Sequence, residues 1–231
     1  MNQPLRVGVI GAGRWCKTAH LPGFHRSPLC ELVAISDLHI DLAEARASEF
    51  DIPSVTTNYR ELLERDDIDV IDVVTRGDHQ DLVFEALEAG KHCLVEKPVC
   101  HDYRDVWKAQ ALADAKGLKT KVGLTFRYAP AVMYMFDLIR QGFIGEPYVF
   151  NGYEQNSQWL DPDNPMDKRI HRVRPEGEPE WGTELTREGI TVSSLEGYGA
   201  PTIDIGLECV GSELKEVVGI LANMVPFRRR T

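Results

Sequence analysis

The stretch VGVIGAGRWCKTAH, residues 7–20, is an apolar, β-branched run that breaks at a glycine turn and resumes with a helical pattern. Gly11 and Gly13 occupy the first two glycine places of G-x-G-x-x-G. The first permits the tight turn. The second lets backbone approach a pyrophosphate at a helix N-terminus, where free N–H groups and the dipole attract anions. Cys16 stands in the third place, where a small side chain can still serve helix–strand packing. A lone glycine motif is a weak signal. This one follows the first strand and opens a helix, the context expected of a dinucleotide-binding turn. Arg14 and Trp15 lie in the turn itself and count as cofactor-binding candidates.

The next strand-like run, ELVAIS (31–36), ends at Asp37. A carboxylate there accepts the ribose hydroxyls of an adenosine and repels a 2′-phosphate, which favours NAD over NADP. The plainer alternative is that Asp37 only caps the next helix.

Working outward, strand-like segments at 5–10, 31–36, 69–74, 92–96 and 120–125 alternate with helical patterns at 41–50, 59–65, 81–90 and 102–117. Gly90 and Gly117 are helix stops. Such alternation predicts βαβ units in a parallel sheet with helices on both faces. Residues 1–125 therefore read as a doubly wound Rossmann domain. Beyond it, 129–145 reads as a helix, 146–157 as a strand and 157–189 as an irregular, Trp- and Pro-containing stretch. Residues 192–211 read as a helix interrupted near Gly199-Ala200-Pro201, and 214–225 as a strand. Residues 126–231 are thus expected to form a second α/β domain, whose sheet is anticipated to be open and mostly antiparallel. Two long strands with few covering helices leave an edge bare, so another chain completes the sheet or the sequence is the front of a longer protein.

The 231 residues carry a net charge of −10 without a long basic run, which argues against nucleic acid or an anionic membrane as partner. Cys16, Cys30, Cys93, Cys100 and Cys209 form no CxxC pair, so no metal site is expected. They read as free thiols of a reducing compartment. With no signal peptide and no membrane-length apolar run, the expected location is cytoplasmic.

GAGRW (11–15), VTRGDH (74–79), EALEAGKHCLVEKP (85–98) and FRYAP (126–130) resemble the Gfo/Idh/MocA family of NAD(P)-dependent oxidoreductases, named for glucose–fructose oxidoreductase and inositol dehydrogenase. The resemblance implies a Rossmann domain followed by an α/β domain whose open sheet carries the substrate site and mediates homo-oligomerisation. Members of that family are substantially longer, which favours truncation as the account of the abrupt end. It also implies that Lys97 of the Glu96-Lys97-Pro98 motif reaches the substrate hydroxyl beside the nicotinamide. An ammonium there stabilises a developing alkoxide and relays its proton. Glu96 holds or balances Lys97, and the bond before Pro98 is a candidate cis bond. The bland reading is a surface lysine beside a strand-ending proline.

Thr75, Arg76 and His79 match the family loop that lies along the cofactor, although this loop is one residue shorter and lacks the usual proline after the threonine. His79 either touches ligand or makes a structural hydrogen bond at a helix start. Arg127, next to Tyr128, either meets cofactor or substrate or pairs on the surface. The family's D-x-x-x-H pair of the second domain is absent: Gly197 and Pro201 stand in its two places, and neither transfers a proton. Asp204 then reads as a helix-face residue and His171 as solvated. Tyr198 is a candidate oxyanion donor, and Tyr153 and Trp159 are candidate sugar-stacking rings. The expectation is an NAD-dependent oxidoreductase of a sugar, polyol or related carbohydrate, with Lys97 as its main catalytic group. A non-catalytic NAD-binding regulator of the same fold is the alternative, and an inactive fragment of a longer enzyme is a third reading.

Overall fold

Strand β1 (Leu5–Ile10) pairs in parallel with β2 (Cys30–Ser36) on one side and β4 (Val70–Val73) on the other. The sheet extends to β3 (Val55–Thr56) beyond β2, and to β5 (His92–Val95) and β6 (Thr120–Val122) beyond β4. The computed structural model describes residues 3–75, 79–100, 102–153, 185–186, 190–191 and 199–220. Among these, the sheet has six strands in the order β3-β2-β1-β4-β5-β6, all parallel. Chain contacts divide the molecule into two units, Met1–Gly123 and Leu124–Thr231.

Parallel strands covered on both faces need apolar side chains in both directions. Val7 and Val9 point into a cluster with Leu21 of α1 (Leu21–Arg26) and Ala43 and Ala47 of α2 (Ile40–Phe50). Ile10, Ile71 and Val73 point the other way. They meet Leu62 and Leu63 of α3 (Arg60–Leu63), Val83, Ala86 and Leu87 of α4 (Gln80–Glu88), and Ala109 and Ala113 of α5 (Tyr103–Ala115). Small alanines on the inner helix faces let those helices lie close to the sheet. The expected helices of this unit all form, with stops at Gly90 and Gly117 that have left-handed backbone (φ 76° and 66°). The two-residue β3 has no sequence signature, because two residues are too few to display a period. The last strand is shorter than expected, ending at Val122; it is an edge whose ladder to β5 covers three residue pairs.

In the second unit a 3₁₀ turn, Thr125–Tyr128, leads into α6 (Pro130–Arg140). A two-stranded antiparallel ribbon, β7 (Leu185–Thr186) and β8 (Ile190–Thr191), and α7 (Ala200–Val210) follow. Two expected strands do not form among the described residues. Residues 146–153 and 214–220 have no ladder partner, and side chains such as Tyr148, Val218 and Ile220 stand exposed. Alternation makes a strand only when a neighbour accepts its hydrogen bonds. Pro201 lies in the first turn of α7, where its missing N–H costs nothing. The earlier part of the helix expected over 192–211, residues 192–198, lies outside the described residues.

Candidate cofactor and active site

The strand order reverses direction between β1 and β4, and in open parallel sheets ligands bind beyond the carboxyl ends of the strands at such a point. The glycine turn lies there. Gly11 has φ 112°, and a Cβ on it would approach Val74 O to 2.8 Å. Its glycine is therefore required by the neighbouring strand end. Gly13 differs: a Cβ there would meet nothing within 4 Å. Protein packing does not ask for glycine at this position. Cys16 is fully buried against the sheet. Burial, then Asp72, pushes its thiol far above the usual range, and burial lifts Cys93 to about 12.

Asp37 is anchored by both oxygens. Oδ2 accepts the Ala12 N–H at 2.7 Å and Oδ1 accepts the His39 N–H at 2.9 Å. The carboxylate is thus fixed beside the glycine turn and tethers the backbone just before α2. Arg14 and Trp15 extend from the turn, both exposed, with Trp15 about half accessible at 48%. The Thr75 hydroxyl at the end of β4 is buried and has no hydrogen-bond partner among the described residues.

The Glu96-Lys97-Pro98 turn follows β5. Its bond Lys97–Pro98 is cis. Glu96 is the hub of the region. Its Oε1 accepts the Trp15 indole N–H at 2.9 Å and faces His20 Nε2 at 3.2 Å; its Oε2 accepts the Lys97 N–H at 3.2 Å. Burial disfavours its charge, but the hydrogen bonds from His20 and Trp15 outweigh that and hold it below the usual carboxylate range. Gly123, whose N–H bonds to Val95 O, leaves the space that the carboxylate occupies.

His20 and Asp72 are residues the sequence reading missed. A π-helical segment, Cys16–His20, links the glycine turn to α1 and ends with His20. His20 Nδ1 lies 3.0 Å from both Asp72 oxygens. Asp72 is wholly buried. Desolvation opposes the imidazolium, yet hydrogen bonds to Asp72 and Glu96 lift His20 to about 9. Burial pushes Asp72 above the usual carboxylate range despite His20. The available signal was a carboxylate inside the buried run Val70-Ile71-Asp72-Val73, which demands a partner.

His79 is buried at the start of α4, with Nδ1 2.7 Å from Pro98 O and Nε2 3.0 Å from Thr75 O. It ties the loops after β4 and β5 together. Lys91, from the AGKH segment, is also structural: its ammonium donates to the carbonyls of Arg65 and Ile68. Arg127 lies in the second unit, paired with Asp204 and Glu208 of α7. Tyr153 is 83% exposed. Arg76, Trp159, His171, Gly197 and Tyr198 lie outside the described residues. Among the described residues no three His, Cys, Asp or Glu side chains are arranged to hold a metal ion, and no helix is long and apolar enough to cross a membrane.

Residues 5–124 match the family described as "Oxidoreductase family, NAD-binding Rossmann fold", GFO_IDH_MocA. The chain belongs to this family. It is 35% identical over 144 residues to dTDP-3,4-didehydro-2,6-dideoxy-alpha-D-glucose 3-reductase of Actinomadura kijaniata, covering 62% of this chain and 43% of that protein. It is 30% identical over 182 residues to levoglucosan dehydrogenase of Pseudarthrobacter phenanthrenivorans, covering 74% of this chain and 46% of the relative. Among solved structures, a 3-ketoreductase from A. kijaniata in complex with NADP superposes with a TM-score of 0.57 at 35% identity, over 62% of this chain and 46% of the other. Apo scyllo-inositol dehydrogenase from Lactobacillus casei gives 0.58 at 25% identity, over 63% and 44%. The chain spans under half the length of these relatives. A dinucleotide fits the residues present: Gly13 leaves room at the turn, Asp37 is fixed beside it, and the buried Thr75 hydroxyl has no partner among the described residues.

Proposed function

We propose that this protein is a nicotinamide-dependent oxidoreductase acting on a CH–OH or C=O group of a sugar, polyol or sugar nucleotide. Lys97 is its main polar catalytic group and NAD its preferred cofactor over NADP. The observation that carries the reading is the anchoring of the Lys97 turn, through Glu96, to the Trp15 indole next to the glycine turn. That arrangement ties the lysine-bearing loop to the dinucleotide-binding loop. The relatives named as sugar and sugar-nucleotide oxidoreductases support the substrate class. NAD over NADP rests on Asp37, whose fixed carboxylate repels a 2′-phosphate.

Bound nicotinamide supplies the hydride acceptor or donor. In the oxidative direction the Lys97 amine takes the hydroxyl proton as hydride leaves the carbinol carbon; in the reductive direction its ammonium donates that proton to the carbonyl oxygen. Glu96 fixes the backbone of that turn. Residues 1–125 serve as the cofactor domain, and residues 126–231 contribute to substrate binding and homo-oligomerisation in a cytoplasmic protein. A second reading, a dinucleotide-binding regulator without turnover, is favoured by Pro201, which stands where the family's proton-transferring histidine is expected and is buried in the first turn of α7.

Reduction of NAD by a panel of sugars, polyols and sugar nucleotides, alongside calorimetric NAD and NADP binding, tests both. Turnover that falls by about 10²- to 10⁴-fold in Lys97→Ala, with dinucleotide affinity retained, supports the enzyme. Tight binding with no turnover across the panel supports the regulator.

A further inference from the structure

The buried line Asp72–His20–Glu96 has no counterpart in the chemistry assigned to Lys97 alone. We propose that His20 is the positioning residue of the Glu96–Lys97 turn: braced by Asp72, its ring fixes the carboxylate that holds both the Trp15 indole and the Lys97 backbone. The inference rests on the reading of Lys97 as the catalytic group, since that is what gives the turn its task.

The geometry is specific. Asp72 on β4 presents both oxygens to Nδ1 at 3.0 Å, and Glu96, just past β5, presents Oε1 to Nε2 at 3.2 Å. The two acidic side chains, one at each ring nitrogen, favour the imidazolium, which donates from both. The strong upward displacement of its pKa has the same origin. The charged groups facing the ring are Asp72 from β4 and Glu96 from the β5 turn, with Lys97 adding its charge beside Glu96. Glu96 then completes its bonds with Trp15 and the Lys97 N–H. Stability alone does not explain such an arrangement, because buried ionic groups are often no better than apolar packing of the same volume. Their location beneath the carboxyl edge, ending at the turn that carries Lys97, does. Perturbed groups gathered at a ligand crevice are typically there for the chemistry.

The test uses the full chain without any dinucleotide, labelled with ¹⁵N for resonance measurements. The His20 ring, the Trp15 indole N–H (assigned with Trp15→Phe) and the Lys97 amide are followed from pH 6 to 10. All three are expected to move with one midpoint near 9. In Asp72→Asn that common midpoint falls by about one unit. Should that variant not fold, Glu96→Gln serves: the His20 midpoint falls, and the Trp15 and Lys97 signals lose their pH dependence. Trp15 and Lys97 signals that ignore the His20 titration overturn the proposal, as a merely structural histidine would leave them still. None of these readings needs nucleotide. A protein that binds no nicotinamide dinucleotide while the three signals still move together refutes the oxidoreductase reading and leaves the positioning role of His20 intact.

Discussion

A Cβ on Gly123 would lie 2.6 Å from Glu96 Oε1. A side chain at position 123, after β6, and the Glu96 carboxylate, after β5, would therefore compete for one space. Glu96 is the tip of a flexible side chain, but it is not free to step aside: the oxygen in question is the one bonded to Trp15 and His20.

Gly123→Ala is accordingly expected to break the Trp15 and His20 contacts while leaving the sheet intact. Loss of hydrogen bonds to a charged group costs about 1–3 kcal/mol. Denaturant midpoints and the Trp15 indole resonance report the two effects, with far-UV circular dichroism unchanged. An indole signal identical to that of the unsubstituted protein would contradict the assignment of Glu96 as the hub.

The two motif glycines should respond in opposite ways. Gly11→Ala forces a side chain into left-handed backbone and against the Val74 carbonyl at 2.8 Å, and should cost about 3 kcal/mol or more of stability. Gly13→Ala meets no protein atom within 4 Å, so stability should stay within about 0.5 kcal/mol. Dinucleotide affinity should nonetheless fall by roughly tenfold or more, about 1.4 kcal/mol. Thermal melts and calorimetry on the pair separate folding from binding.

Stability should also depend on pH in two windows. His20 is raised from 6.5 to about 9 on folding. A base with a raised pKa contributes stability that is fully present below its unfolded value and is lost as pH rises through the folded one. The urea midpoint should therefore drop between pH 6.5 and 9, and His20→Gln should flatten that slope. In acid the hydrogen bonds and charge of Arg6 hold Asp69 at about 2, so its contribution is present above the ordinary carboxylate pKa and fades as pH falls toward 2. The raised Asp72 works the other way, since protonating it relieves a buried charge as pH falls. Arg6→Gln should shrink only the acid-side slope that Asp69 produces.

Asp37 sets the last prediction. Asp37→Ser should shift the ratio of NADP to NAD affinity toward NADP by about tenfold, through removal of the charge that repels a 2′-phosphate. Both affinities should also decline somewhat, because the carboxylate anchors Ala12 and His39. Competitive calorimetry with the two cofactors measures the ratio; an unchanged ratio would remove Asp37 from the specificity assignment.

Much of the first unit is legible in the order of its amino acids. Val7-Gly-Val-Ile followed by Gly11 and Gly13, and the alternation of strand and helix patterns through Thr120, depend on short-range rules: period, turn chemistry and helix stops. The second unit is less legible. The alternation in 146–157 and 214–225 resembles strands, yet the described residues there pair with nothing. Pattern states which faces of a segment are apolar; it does not say whether a neighbour is present to bond.

Sequence by itself determined the glycine turn, the acidic end of the second strand and the lysine after the fifth, because each is written in a few contiguous residues whose backbone demands are local. The three-dimensional packing alone decided that His20, Asp72 and Glu96 meet. They are separated by 52 and 24 positions along the chain, and only the parallel order that sets β1 and its helix beside β4, and β4 beside β5, brings them within hydrogen-bond reach. A charge buried in that way is decided by which side chains surround it, and the surroundings are a property of the fold.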